Sequence, residues 1–374
     1  MKLVLVISSL GGGGAERVMT LLANAWVERG NEVTLITLAS DRMDRYPLDP
    51  AVRRIALDVA GNSAHVLAAI GHNIVRIRAL RRAIAASRPD AVISFIAESN
   101  VRVLIAAAGL CVPVIISERT ALNGHHMRGV WRTLRRWSYP RATAIVAQTR
   151  RCAAELEVLA HRQVDVIANP VSIESHPEEA IASERAGGHT LLAVGRLSPE
   201  KGFDLLIEAF AQVAERHPDW NLMILGEGPL RTELARKVAE QNLGGRIAMP
   251  GFDAHIRQAM RRADLFVLSS RYEGFPNALL EAMTEGRACV SFDCNAGPRE
   301  LIEHGKNGWL VPAGDVPAMA AALDALMRDA DLRQRLGHRA REVTATYALP
   351  AILDQWNALV LSVLPPPTQR VLQS

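Results

Sequence analysis

The stretch Leu191-Leu192-Ala193-Val194-Gly195-Arg196-Leu197-Ser198-Pro199-Glu200-Lys201-Gly202 decides the fold. An apolar run short enough for one strand ends at a glycine, a polar loop follows, and a helical pattern begins at Phe203. A continuously apolar strand, a loop and a helix form the repeating unit of a parallel sheet covered on both faces. The unit recurs downstream, with strands predicted at 222–225, 247–249, 265–268 and 289–292. It also recurs upstream, at 2–8, 32–38, 92–96, 114–117, 144–147 and 164–167. Between the two series, residues 170–188 turn to Pro, Glu and Gly, the composition of an exposed linker. The expected fold is therefore α/β, two Rossmann-like parallel-sheet domains facing each other across a cleft. They are placed at 1–170 and 171–350, with an amphipathic helix at 351–364 packing back on the first. Open parallel sheets bind ligands at the carboxyl ends of their strands, so the chemistry is sought there.

Size and composition agree with two domains. The chain has 374 residues, 49% hydrophobic and 22% charged, ample for two cores. Its net charge of +4 conceals an asymmetry: residues 1–170 hold 22 Lys and Arg against 13 Asp and Glu, the remainder 21 against 26. A basic first half suits an anionic substrate or surface. Nucleic acid is not the expected partner, because the arginines lie in helical stretches without a reading motif or stacking aromatics. Cys111, Cys152, Cys289 and Cys294 form no CxxC pair and no metal spacing, which points to reduced thiols in the cytoplasm. The opening residues MKLVLVISSL read as a strand, since no basic flank or cleavage site accompanies them. The longest apolar run, 103–116, is shorter than the ~20 residues a membrane-spanning helix requires.

Three motifs carry chemistry. Gly11-Gly12-Gly13-Gly14-Ala15-Glu16-Arg17 follows the first strand and opens a helix. Glycines admit close backbone approach, and a helix N-terminus offers unpaired N–H groups to an anion. Neither GxGxxG nor GK[ST] is present, so a tight strand–helix turn explains it as well as phosphate contact does. In the second motif, Arg196 and Lys201 stand five residues apart in a loop leading into a helix, an arrangement suited to a diphosphate. The chain has only four lysines, which argues against an incidental surface cation. The third, Arg271-Tyr272-Glu273-Gly274-Phe275-Pro276-Asn277-Ala278-Leu279-Leu280-Glu281, joins a buried strand to a helix. Pro276 falls near the first turn, where a missing N–H costs nothing. The amides of Gly274, Phe275 and Asn277 are expected at the positive helix end, with Glu281 further in; solvated charges at a helix start are the plain alternative.

In this order and spacing, GGAER, GRLSPEKG and EGFPNALLE resemble glycosyltransferase family 4 over nearly the whole chain. The resemblance implies the two-Rossmann GT-B architecture, retention of anomeric configuration and no metal or other cofactor. It implies that Arg196 and Lys201 bind the donor diphosphate and stabilise the leaving nucleotide. Glu281 would hold the ribose hydroxyls, and Glu273 with the amides of Gly274 to Asn277 the donor sugar. Gly14 would approach the diphosphate from the other domain, while Gly226, Glu227, Gly228, Gly251 and Phe252 would pack the nucleoside. One departure stands out. Many family members carry a histidine just after a front-domain strand, where this chain has Glu118-Arg119, with His125 and His126 nearby.

The segment 125–141, HHMRGVWRTLRRWSYPR, places Trp131, Leu134 and Trp137 at helical spacing beside Arg128, Arg132, Arg135, Arg136 and Arg141. A basic amphipathic helix with Trp reads either as a membrane-surface element or as a helix packing its Trp face on the core. A second basic helix, 74–85, carries Arg76, Arg78, Arg81 and Arg82. The pattern resembles family members that extend polyprenyl-diphosphate-linked glycans, which implies a UDP-hexose or UDP-N-acetylhexosamine donor and an undecaprenyl-diphosphate glycan acceptor. These expectations place the protein in the cytoplasm, peripherally attached to the inner face of the plasma membrane. A nucleotide-sugar epimerase on the same fold is the competing reading; it needs no acceptor-facing basic surface. A pyridoxal-phosphate phosphorylase shares the architecture but is much larger.

Overall fold

The computed structural model describes residues 1–60, 66–119, 129–171, 188–253, 255–295 and 297–365. The chain divides into two compact units, Met1–Ser172 with Leu349–Ser374, and Ile173–Ala348. In the first, strands and helices alternate as β1 (Lys2–Ile7), α1 (Gly14–Glu28), β2 (Glu32–Thr37), β3 (Arg53–Ala56), α2 (Val66–Ser87), β4 (Ala91–Phe95), α3 (Ala97–Ala107), β5 (Val114–Ser117), α4 (Gly129–Ser138), β6 (Ala144–Ala147), α5 (Arg150–Ala160) and β7 (Asp165–Val166). All pairings are parallel, in the order β3-β2-β1-β4-β5-β6-β7. Val4 of β1 pairs with Thr34 on one side and Val92 on the other. Sheet building therefore reverses direction at β1, between β2 and β4, and the loops after β1 and β4 part there at the carboxyl edge.

The second unit runs β8 (His189–Val194), α6 (Phe203–Ala214), β9 (Trp220–Leu225), α7 (Arg231–Glu240), β10 (Ile247–Gly251), α8 (Ile256–Arg262), β11 (Leu265–Leu268), α9 (Asn277–Thr284), β12 (Ala288–Asp293), α10 (Pro298–Leu301), β13 (Trp309–Pro312), α11 (Val316–Arg328), α12 (Ala330–Ala340) and α13 (Val343–Tyr347). Its sheet is parallel in the order β10-β9-β8-β11-β12-β13, with the switch between β9 and β11 around β8. Leu191, Ala193, Leu222, Ile224, Leu265 and Val267 are buried in a core closed by Phe203, Phe210 and Leu323. Burial on both faces explains why these strands carry no polar alternation.

A last helix, α14 (Leu349–Val363), belongs to the first unit. Its Trp356 is fully buried, meeting the Trp26 ring edge-on at 6.3 Å and the Phe95 ring at 5.8 Å. Trp26 Nε1–H donates to Asn357 Oδ1 at 2.8 Å, and Arg29 pairs with Asp354 at 2.5 Å. Two edge strands, β3 and β13, escape the sequence pattern. Each is only partly buried: β3 begins with Arg53 and Arg54, and β13 ends in Pro312, which an edge position tolerates. Residues 172–187, which include most of the expected linker, lie outside the described residues, as do His125, His126, Arg128 and the tail 366–374.

Candidate active site

In the second unit, the carboxyl edge of the sheet is built by the loops after β8, β9, β10 and β11. Backbone bonds carry the ladder past the strand ends: Gly195 N–H to Leu225 O (2.9 Å), Leu197 N–H to Glu227 O (3.0 Å) and Gly226 N–H to Gly251 O (2.8 Å). The approach is so close that a Cβ on Gly226, at φ +142°, would stand 1.9 Å from Gly195 O. Only glycine allows that backbone path. On the other side, Pro199–Lys201 forms a 3₁₀ turn and Gly202 starts α6 in the left-handed region.

That turn is stapled to the loop after β11. Arg271 N–H donates to Glu200 O (2.8 Å), its guanidinium to Pro199 O (2.8 Å), and its fork grips Asp204 at 2.8 and 2.6 Å. This bidentate hydrogen bonding, ahead of the Coulomb attraction, holds the Asp204 carboxyl below its ordinary value. Ser269 Oγ–H closes on Lys201 O at 2.9 Å. The outcome is a contact between residues 72 apart in sequence: Lys201 Nζ donates to Glu273 Oε1 at 2.6 Å, and Ser270 Oγ–H to the same oxygen at 2.6 Å. Glu273 is buried, Lys201 only partly so. Arg196 is exposed and carries no side-chain partner among the described residues. The edge thus holds one free and one paired cation in a single loop, an arrangement able to receive an anionic group.

α9 supplies the rest. Pro276 occupies its N-cap and Glu281, in the second turn, is buried on its inward face. The Phe275 side chain is buried against Tyr347, ring centroids 6.0 Å apart, so only its backbone can serve a ligand. Of the amides expected at this end, that of Asn277 is already used, donating to Phe275 O at 3.0 Å. A proline-containing turn closes on itself there before the helix begins. Glu227 forms an ion pair with Arg231 at 3.2 Å, and Phe252 stands 69% exposed after β10.

In the first unit, Gly14 begins α1, capped by Gly13. The Glu16 carboxylate folds back on this end, its Oε2 only 2.2 Å from where a Gly13 Cβ would stand. Burial pushes the Glu16 carboxyl above its ordinary value. Glu118 and Arg119 separate in role. Glu118 accepts the Tyr139 hydroxyl at 2.8 Å and pairs with Arg135 at 3.0 Å, all three being buried. Burial, then the Glu118 charge, pushes the Tyr139 hydroxyl well up. Arg119 has no such partner among the described residues; its guanidinium lies 3.7 Å above the Phe95 ring.

The basic helices also sort themselves. Arg135 is not a surface cation: it is 7% exposed, committed to Glu118 and set over the Tyr139 ring at 5.2 Å. The inward stripe of α4 runs through Trp131, Arg135 and Ser138, spaced i, i+4, i+7, while Arg132, Arg136, Val130 and Trp137 face out. Trp131 is covered by the Arg102 guanidinium at 4.4 Å. On α2, Arg81 caps the end of α3 through Ala106 O and Ala108 O (2.8 and 2.6 Å), and Arg76 donates to Val59 O at 2.9 Å. Arg78 and Arg82 are exposed. Sequence reasoning missed Ser269, Ser270 and Asp204 as parts of the site; their position just beyond a strand or at a helix start was the available signal. Among the described residues no three of His, Cys, Asp and Glu gather as a metal-binding group.

Residues 12–175 match the model of Glycosyltransferase Family 4, and residues 177–343 that of Glycosyl transferases group 1. A Campylobacter jejuni protein named GalNAc-alpha-(1->4)-GalNAc-alpha-(1->3)-diNAcBac-PP-undecaprenol alpha-1,4-N-acetyl-D-galactosaminyltransferase is 28% identical over 97% of this chain and 99% of its own. Among solved structures, Anabaena Alr3699/HepE in complex with UDP superposes with a TM-score of 0.80 at 20% identity, covering 97% of this chain and 100% of that one. Sucrose-phosphate synthase of Thermosynechococcus elongatus gives a TM-score of 0.84 at 20% identity, covering 97% and 98%. These structural likenesses concern the fold, which is the two-Rossmann GT-B architecture.

Proposed function

Because the chain belongs to glycosyltransferase family 4, we propose that it moves a hexose or N-acetylhexosamine from a UDP-sugar to a polyprenyl-diphosphate-linked glycan, retaining configuration and needing no metal. The observation that carries this reading is the meeting of Lys201 and Glu273 at 2.6 Å beside the exposed Arg196. A departing nucleoside diphosphate gathers negative charge on its oxygens, and fixed cations aimed there lower the barrier. Arg196 and Lys201 receive the diphosphate; Lys201 exchanges part of its bond to Glu273 for phosphate oxygens. Glu273, so released, accepts from the sugar hydroxyls, and Glu281 from the ribose. Gly226, Glu227 and Phe252 flank the nucleoside, and Gly274, with the backbone of Phe275 and Pro276, borders the sugar. With no carboxylate assigned as nucleophile, the acceptor attacks on the face the leaving group vacates, its proton passing to the departing phosphate.

Two relatives support the substrate classes: the Campylobacter protein is named for an undecaprenol-diphosphate glycan, and the Anabaena protein is bound to UDP. An acceptor of that kind sits at a membrane, and the outward residues of α4 and α2 suit an anionic surface on its cytoplasmic side. Among the described residues no helix is long and apolar enough to cross a membrane. The reading is tested by incubating the purified protein, with a chelator present, with a panel of nucleotide sugars and a bacterial lipid extract while following nucleotide release. UDP release that requires lipid-linked glycan is expected. Release of an epimerised nucleotide sugar without lipid would replace the proposal by the epimerase reading.

A further inference from the structure

Among the described residues, Arg119 is a buried charge without a counter-ion. It lies two residues past β5, is 7% exposed, and none of its three guanidinium nitrogens has a hydrogen-bond partner among the described residues. Among the described residues none of its five N–H donors is satisfied, and the flat face of the group lies over the Phe95 ring at 3.7 Å. The neighbouring carboxylate that should neutralise it, Glu118, is committed to Arg135 and Tyr139. Burial alone brings the Arg119 pKa down to about 9, so the side chain still carries its charge at neutral pH. Buried unpaired charges are costly, and a protein that keeps one ordinarily uses it.

Placement says for what. Arg119 reaches from β5 to Phe95, the last residue of β4. The other neighbour of β4 is β1, whose end opens the glycine turn and the N-terminus of α1. With strands about 4.8 Å apart, the two positive features share one carboxyl edge about 10 Å across, at the switch point of the sheet.

From this we infer that Arg119 receives a phosphate oxyanion of a substrate, its guanidinium forking onto the oxygens. The inference rests on the proposed reaction, in which both the donor and the acceptor carry a diphosphate; either can be the source.

The test uses the full chain and two variants, Arg119→Met and Arg119→Lys, with two probes, UDP and a short-chain isoprenyl diphosphate. Affinities are read by calorimetry and melting temperatures with and without probe. Arg119→Met should melt higher than the parent when ligand-free, because an unpaired charge is gone, yet lose at least tenfold in affinity for one probe. Arg119→Lys should recover part of that loss, being a point charge without the fork. Loss confined to UDP assigns the donor as source; loss confined to the isoprenyl diphosphate assigns the acceptor. Unchanged affinity for both probes in either folded variant overturns the inference, as does a parent protein that binds neither. Should Arg119→Met not fold, Arg119→Lys decides by the same affinities. Failure of sugar transfer by the parent would remove the proposed reaction instead, and leaves both affinities measurable.

Discussion

At the residue scale, two ion pairs of opposite purpose, each with a buried carboxylate, can be separated by substitution. Lys201 and Glu273 meet where the donor diphosphate is proposed to bind. Lys201→Ala is expected to lower kcat by about 10²–10³ in a protein that remains folded, the loss typical of one preorganised donor. Steady-state rates of UDP release check this, and undiminished turnover would remove Lys201 from the diphosphate role. Arg135 and Glu118 are structural. Arg135→Ala strands a carboxylate 2% exposed and should destabilise the fold by about 3–5 kcal/mol, read from denaturant melts. A third pair gives a pH signature. Arg271 depresses the Asp204 carboxyl, so the folded pKa lies below the unfolded value near 3.8. The stability it lends is present above that value and lost as pH falls through the lower folded pKa. Asp204→Asn should therefore lower the melting temperature at pH 6 and have little effect below the folded pKa; an equal effect at both would show that the charge contributes nothing.

At the scale of elements, the loop after β9 and helix α4 make separate predictions. Gly226→Ala places a side chain at φ +142° and against Gly195 O. Backbone strain of this kind costs about 1–3 kcal/mol, and the clash adds to it. Calorimetry should show a lowered melting temperature, and a variant as stable as the parent would contradict the close approach of the two loops. On α4, replacing Arg132 and Arg136 by Ser should reduce flotation with anionic liposomes, whereas Arg135 should not be used for that purpose. Flotation that persists unaltered would place the membrane contact elsewhere. The helix also shows where pattern reading stops. Its residues have helical spacing, but Trp is large enough to be sought inside and Arg is expected outside. Here the buried carboxylate of Glu118 draws Arg135 in, and Trp137 is left 51% exposed. No periodicity in 129–138 contains the information that a carboxylate waits just past β5.

For the whole molecule, the doubly wound sheets were legible because a strand buried on both faces must be apolar throughout, as 3–7 and 191–194 are. β3 and β13 were not, because an edge strand can keep Arg53, Arg54 or Pro312 on its open side. The site was legible as motifs and not as contacts. Lys201 and Glu273 each stood out, but their 2.6 Å meeting depends on β8 and β11 lying side by side, a consequence of topology. Nor does spacing disclose that Arg119 lacks a partner among the described residues, since that follows from how Glu118 is spent.

The central claim is that Arg196 and Lys201 grip the pyrophosphate of the nucleotide donor. A crystal structure of the protein with UDP bound measures it directly. The β-phosphate is predicted within hydrogen-bonding distance of both side chains, with the Lys201–Glu273 contact lengthened or shared. A nucleotide seated with its phosphates away from these two residues would contradict the account.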